Sequence, residues 1–241
     1  MTRDAPDRGI QSAAAAALEL VGDGATVGLG TGRAAAAFIA LLGVRVGQGL
    51  RVSGVATSHG SATLASEAGI PLVDLSEELE LDLTVDGADE VAPNLDLIKG
   101  WGGALVRERI VASASRRQVI VVGSEKLVQR LGERGRIPVE VISLARGPAM
   151  RHIKALQLVP AVRAGPDGSR DFRTENGNLI LDCAPAQPFD DPGVARAVDV
   201  ALRSIPGVVD TGLFLGTAER VLVGHRDGRV ETVLRSSLIS G

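Results

Sequence analysis

Residues 25–43 read ATVGLGTGRAAAAFIALLG. The first six are small or apolar and end in glycine, the mark of a short buried strand. Gly30-Thr31-Gly32 then turns the chain, and Arg33 opens an alanine-rich helix whose stop signal is Gly43. A strand that feeds a helix through a glycine turn begins a βαβ unit. Repeated, that unit gives an α/β fold built on a mainly parallel sheet.

Working outward, the unit does repeat. Residues 11–21 read as a helix before it. After it come a strand (50–57), a helix stopped by Gly69 (61–69), strands (71–75 and 81–90), a helix (103–114) and a strand (117–124). Ligands of such sheets sit beyond the carboxyl ends of the strands. Three stretches rich in Gly, Asp and Ser fall at those ends, at 28–33, 57–61 and 86–90. The pattern changes near Gly132–Gly135. Strands at 137–142, 158–163 and 178–184 alternate with helices at about 147–157 and 192–204, and Asn176-Gly177 signals a tight turn. The expected organisation is an α+β insert, 134–206, inside a domain made of 1–133 and 207–241. Strands at 207–216 and 220–224 are expected to return to that first domain.

Composition bounds the functions. The 241 residues suffice for one large domain or two modest ones. Aromatics are only 2%, so aliphatic side chains must fill the core. A net charge of −3 argues against a nucleic-acid or anionic-membrane surface. The single cysteine, Cys183, excludes an internal disulfide and a multi-cysteine zinc site, fits a reduced cytoplasmic setting, and reads as core. The alanine run 13–17 is followed by Glu19, which reads as a helix rather than a signal peptide. No run approaches the ~18 apolar residues of a membrane span. His59, His152 and His225 are scattered without metal spacing.

Three stretches could bear chemistry. In GLGTGRAAA, Thr31, Gly32, Arg33 and Ala34 stand where free amides and the helix dipole suit an anion such as phosphate. The stretch also meets a loose dinucleotide pattern. The next strand, however, ends in Thr57-Ser58-His59, where that pattern expects an acid for the ribose. A turn that merely packs helix on strand is the alternative. In LTVDGADEV, Asp86 and Asp89 flank Gly87-Ala88 at a strand end. They could hold Mg²⁺, hold sugar hydroxyls, move protons, or simply cap the turn. In KGWGGALVRE, Lys99 and the amides of Gly100, Gly102 and Gly103 suit a developing oxyanion. Glu108 follows, with apolar neighbours Ala104, Leu105, Val111 and Ala112. That suits a general base, or a structural or salt-bridged carboxylate. Arg107 has similar surroundings, so periodicity does not choose between them. Lys126, after another strand end, could reach a phosphate or stay solvated. Trp101 either packs outward on the 103–114 helix or walls a pocket.

Taken together, GLGTG, DGADE and KGWGGALVRE, followed in order by GSEKLV, PVEV, TENGNLILD and GVVDTGLF, resemble the ribose-5-phosphate isomerase type A family over nearly the whole chain. The resemblance implies a Rossmann-like domain with an inserted ferredoxin-like domain. It implies a homodimer or homotetramer without cofactor or metal, acting on a phosphosugar. It also implies roles: Glu108 as the base passing a proton between C2 and C1 through an enediolate, and Lys99 with the turn amides stabilising the oxygens. Asp86 and Asp89 would hold hydroxyls and assist ring opening, and the 31–34 loop with Lys126 would hold the phosphate. Departures stand beside it. Arg33-Ala34 replace the family's frequent Ser-Thr, Trp101 replaces a glycine, and the family's early lysine has only Arg8 as a loose counterpart. Two other readings stay open: a deaminase-isomerase of another phosphosugar, and a non-catalytic sugar-phosphate sensor.

Overall fold

The computed structural model describes residues 8–235. The chain forms two compact units: 1–88 with 107–126 and 217–241, and 89–106 with 127–216.

The first unit is the expected α/β layer. Its strands are β1 (Ala25–Leu29), β2 (Val52–Ala56), β3 (Leu83–Asp86), β6 (Gln118–Gly123), β12 (Arg220–Gly224) and β13 (Val230–Leu234). They lie in the order β13-β12-β6-β3-β1-β2. All neighbours are parallel except the edge hairpin β12–β13. Helix α1 (Arg8–Leu18) precedes β1, and α2 (Arg33–Gly47), α3 (His59–Glu67) and α4 (Leu105–Ser113) lie between later strands. Alternate residues Val27, Leu29, Leu83, Val85, Val119 and Val121 meet Ala13, Ala14, Ala17, Phe38, Ile39 and Leu42 in one core. The other face admits a close neighbour: a Cβ on Gly28 would stand 2.7 Å from Val111 of α4.

The second unit holds the ferredoxin-like arrangement. Strand β7 (Ile137–Val141), helix α5 (Arg146–Ala155), β8 (Leu158–Val162), β9 (Leu179–Pro185), α6 (Pro192–Arg203) and β10 (Val208–Thr211) follow in βαββαβ order. The sheet runs β10-β7-β9-β8 and is antiparallel throughout. Short strands β4 (Glu90–Val91), β5 (Leu97–Ile98) and β11 (Leu213–Phe214) form a second, three-stranded sheet. Cys183 lies in the aliphatic core of this unit, and burial pushes its thiol above the usual range.

Four expectations are corrected. Helix α2 passes through Gly43 and ends at Gly47. Gly43 serves packing instead, since a Cβ there would lie 2.5 Å from Ala68. Residues 71–75 give only a bridge at Leu72 to Gly54; Pro71 lacks an N–H and Leu72, Val73 and Asp74 are exposed, so no ladder extends. The stretch 81–90 breaks after Asp86, and Glu90 starts β4 in another sheet. Finally, 207–216 does not return to the first unit. Val208–Thr211 pairs with β7 and supplies the fourth strand that a βαββαβ unit needs, and Leu213–Phe214 pairs with β5.

Candidate active site

The strand-to-helix turn at Gly30–Gly32 is anchored by Asp86. That residue is fully buried, and its Oδ1 accepts the N–H of Thr31 (3.0 Å) and of Gly87 (2.7 Å). Only glycine fits at 30, because a Cβ would fall 2.2 Å from Asp86 Oδ1. Gly32 takes φ +97° as the cap of α2, with no side chain capping the helix. The first amides of α2, including those of Arg33 and Ala34, therefore remain orphan donors beside a helix dipole. Arg33 is exposed and Ala34 half-buried.

Around Thr31 lies a hydroxyl cluster that the sequence reading did not assign. Thr31 Oγ1 lies 2.8 Å from Thr57 Oγ1 and 2.9 Å from Ser58 Oγ, and Ser58 Oγ lies 2.9 Å from Ser61 Oγ. Ser58 caps α3 by accepting the Ser61 N–H, and Ser61 donates to the Gly30 carbonyl. The signal was present as TSHGS at the carboxyl end of β2. In the same unit, Glu108 stands in the first turn of α4 and is 4% exposed, whereas Arg107 and Arg109 are half-buried. Burial thus makes the choice that periodicity left open. Lys126 ends a 3₁₀ turn (Ser124–Lys126) after β6 and is half-buried.

The other predicted residues belong to the second unit. Lys99 is 2% exposed, with Nζ 5.5 Å from the centre of the Phe214 ring and its N–H on the Gly212 carbonyl. Gly100 (φ +95°) and Gly103 (φ +89°) shape the turn, which closes with the Gly103 N–H on the Gly100 carbonyl. The Trp101 N–H donates to Asp89 Oδ2 at 2.9 Å. The Trp101 residue is half-buried. Its Nε1 donates to the Arg136 carbonyl (3.1 Å), and the Arg136 guanidinium lies 4.4 Å from the ring centre.

The turn has a third support that was not anticipated. Arg163, with a side chain 9% exposed, grips Asp182 through Nε (2.9 Å) and Nη2 (2.5 Å). Its Nη1 donates to the carbonyls of Gly100 (3.1 Å) and Trp101 (2.9 Å). The Phe172 ring, 5.7 Å from that guanidinium, lies where a Cβ on Gly103 would clash. Among the described residues, no group of three or more His, Cys, Asp or Glu could hold a metal, and no helix is long and apolar enough to cross a membrane.

A mainly parallel sheet with helices between its strands, and a helix start at a strand's carboxyl end, makes this an α/β protein of the class that binds ligands at its strand ends. The comparisons narrow it. Residues 53–228 match the family model of ribose 5-phosphate isomerase A (phosphoriboisomerase A), and the chain belongs to that family. It is 45% identical over 223 residues to ribose-5-phosphate isomerase A of Roseiflexus sp. (strain RS-1), covering 92% of this chain and 94% of the relative. A solved ribose 5-phosphate isomerase A from Methanocaldococcus jannaschii superposes with a TM-score of 0.86 at 39% identity, over 95% of this chain and 98% of that one. A solved D-ribose-5-phosphate isomerase in complex with phospho-erythronic acid gives 0.89 at 35% identity, over 95% and 99%.

Proposed function

We propose that this protein interconverts D-ribose 5-phosphate and D-ribulose 5-phosphate in the non-oxidative pentose phosphate pathway. Glu108 takes the C2 proton of the open-chain aldose, leaving an enediolate, and returns a proton to C1. The hydroxyl proton moves from O2 to O1, so no atom is gained or lost. Lys99 and the amides that the 100–103 turn leaves free stabilise the charge on the oxygens. Asp86 and Asp89 act on the sugar hydroxyls and ring opening, and the 31–34 loop with Lys126 takes the phosphate. No cofactor or metal enters the scheme. The working form is a cytoplasmic homodimer or homotetramer.

One observation carries the reading beyond family membership: Glu108 is buried in the first turn of a helix that directly follows a glycine turn and a buried lysine. That burial removes a base from water, where it would be a poor catalyst. The test is turnover of ribose 5-phosphate by purified protein after EDTA treatment. Steady conversion to the ketose supports the reading; no conversion, or conversion only of an amino-sugar phosphate, overturns it.

A further inference from the structure

We propose that Arg163 is a positioning residue for the reaction, one that aims the N–H of Gly102 as the oxyanion donor of the glycine turn. The inference rests on the isomerase reading above, and its geometry lies wholly within the second unit. Among the described residues all peptide bonds are trans, so each C=O points opposite to the N–H of the same peptide. Arg163 Nη1 holds two successive carbonyls, those of Gly100 and Trp101. The two amides of those peptides, Trp101 N–H and Gly102 N–H, must therefore point away from the guanidinium. The first lands on Asp89 Oδ2. The second finds no acceptor among the described residues.

The N–H of Gly100 likewise has no acceptor there, but its peptide is not one that Arg163 touches. Gly103 has spent its N–H on the Gly100 carbonyl. Gly102 is exposed and has no side chain to cover that amide. Loss of the guanidinium releases its hold on the Trp101–Gly102 peptide, and that peptide turned over would present a carbonyl where an anion must form. Asp182 keeps the planar guanidinium aimed by a forked pair, a geometry lysine cannot copy.

Arg163→Lys keeps a cation beside Asp182 but loses the fork. A donor misplaced by about an ångström costs on the order of 10²-fold, so kcat should fall by roughly 10–10²-fold with KM within about threefold. A merely structural arginine would change the melting temperature without that split. In Arg163→Ala, added guanidinium ion should restore part of the lost kcat. A folded Arg163→Lys with kcat within about twofold of wild type, or one changed only in KM, overturns the proposal. Should neither variant fold, the wild type decides. On binding phospho-erythronic acid its Gly102 amide proton should move downfield. A stationary Gly102 signal in a complex whose Arg33 and Ala34 amides shift sinks the inference and spares the isomerase reading. Wild type inactive toward ribose 5-phosphate sinks both.

Discussion

The turns at Gly30–Gly32 and Gly100–Gly103 are alike in composition but are held by opposite charges. Asp86 holds the first by accepting N–H groups, from Thr31 and Gly87. Arg163 holds the second by donating to carbonyls, those of Gly100 and Trp101. A carboxylate anchor consumes amides of the turn itself, so a ligand must use those further on, at the start of α2. A guanidinium anchor consumes only carbonyls and leaves an amide of the turn pointing outward. The first arrangement suits binding a pre-existing anion at a helix start. The second suits a negative charge that appears only during reaction. The two turns should therefore separate in kinetics, the first governing KM and the second kcat.

The largest effect tests the second half of that contrast. Glu108→Gln should fold normally and lose on the order of 10²–10⁴ in kcat, with KM little changed. A folded variant with near wild-type turnover would remove Glu108 as base. The anchor of the first turn comes next. Asp86→Ala strips the acceptor from two half-buried amides and should cost about 1–3 kcal/mol of stability, read from the urea midpoint. If the variant is as stable as wild type, the first half of the comparison is broken.

Arg33→Ala probes binding alone. It should raise KM for ribose 5-phosphate roughly tenfold, the worth of one charge-assisted contact, and leave kcat and the reaction of unphosphorylated ribose unchanged. Equal losses with both sugars would show that the guanidinium points elsewhere. The smallest effect belongs to Trp101→Gly. It removes the Nε1 bond and the Arg136 stack, about 1–2 kcal/mol, while turnover should stay within about threefold. The sole indole of wild type should in turn change its fluorescence little on saturation, because its ring is held by Arg136. A large spectral shift would revive its role as a pocket wall.

The parallel sheet was readable from ATVGLGTG because strand, glycine and helix start lie in one local run. The same letter misled at Gly43, where a glycine that admits Ala68 looks like a glycine that stops a helix. The alternation in 207–216 marked strands but could not say which sheet receives them, since pairing partners are set by distant residues. Glu108 and Arg107 were indistinguishable by spacing, and burial separated them. Arg163 was out of reach for a different reason. It holds carbonyls 62 and 63 residues away, and carbonyls leave no trace in the identity of the residues that own them.

The place of β12 in the chain has a consequence for how the protein is made. Strand β6 sits inside the six-stranded sheet, with Val119 beside Arg220 of β12. On the ribosome, Arg220 emerges about a hundred residues after Val119, a delay of roughly 5–20 s at ordinary elongation rates. Throughout that interval β6 is the last available strand of a growing parallel sheet. Its unpaired backbone and its apolar residues Val119 to Val122 offer a template to any neighbouring nascent chain. Only when the β12–β13 hairpin has emerged is that template capped, so the closure of this sheet waits on a strand about a hundred residues further along the chain.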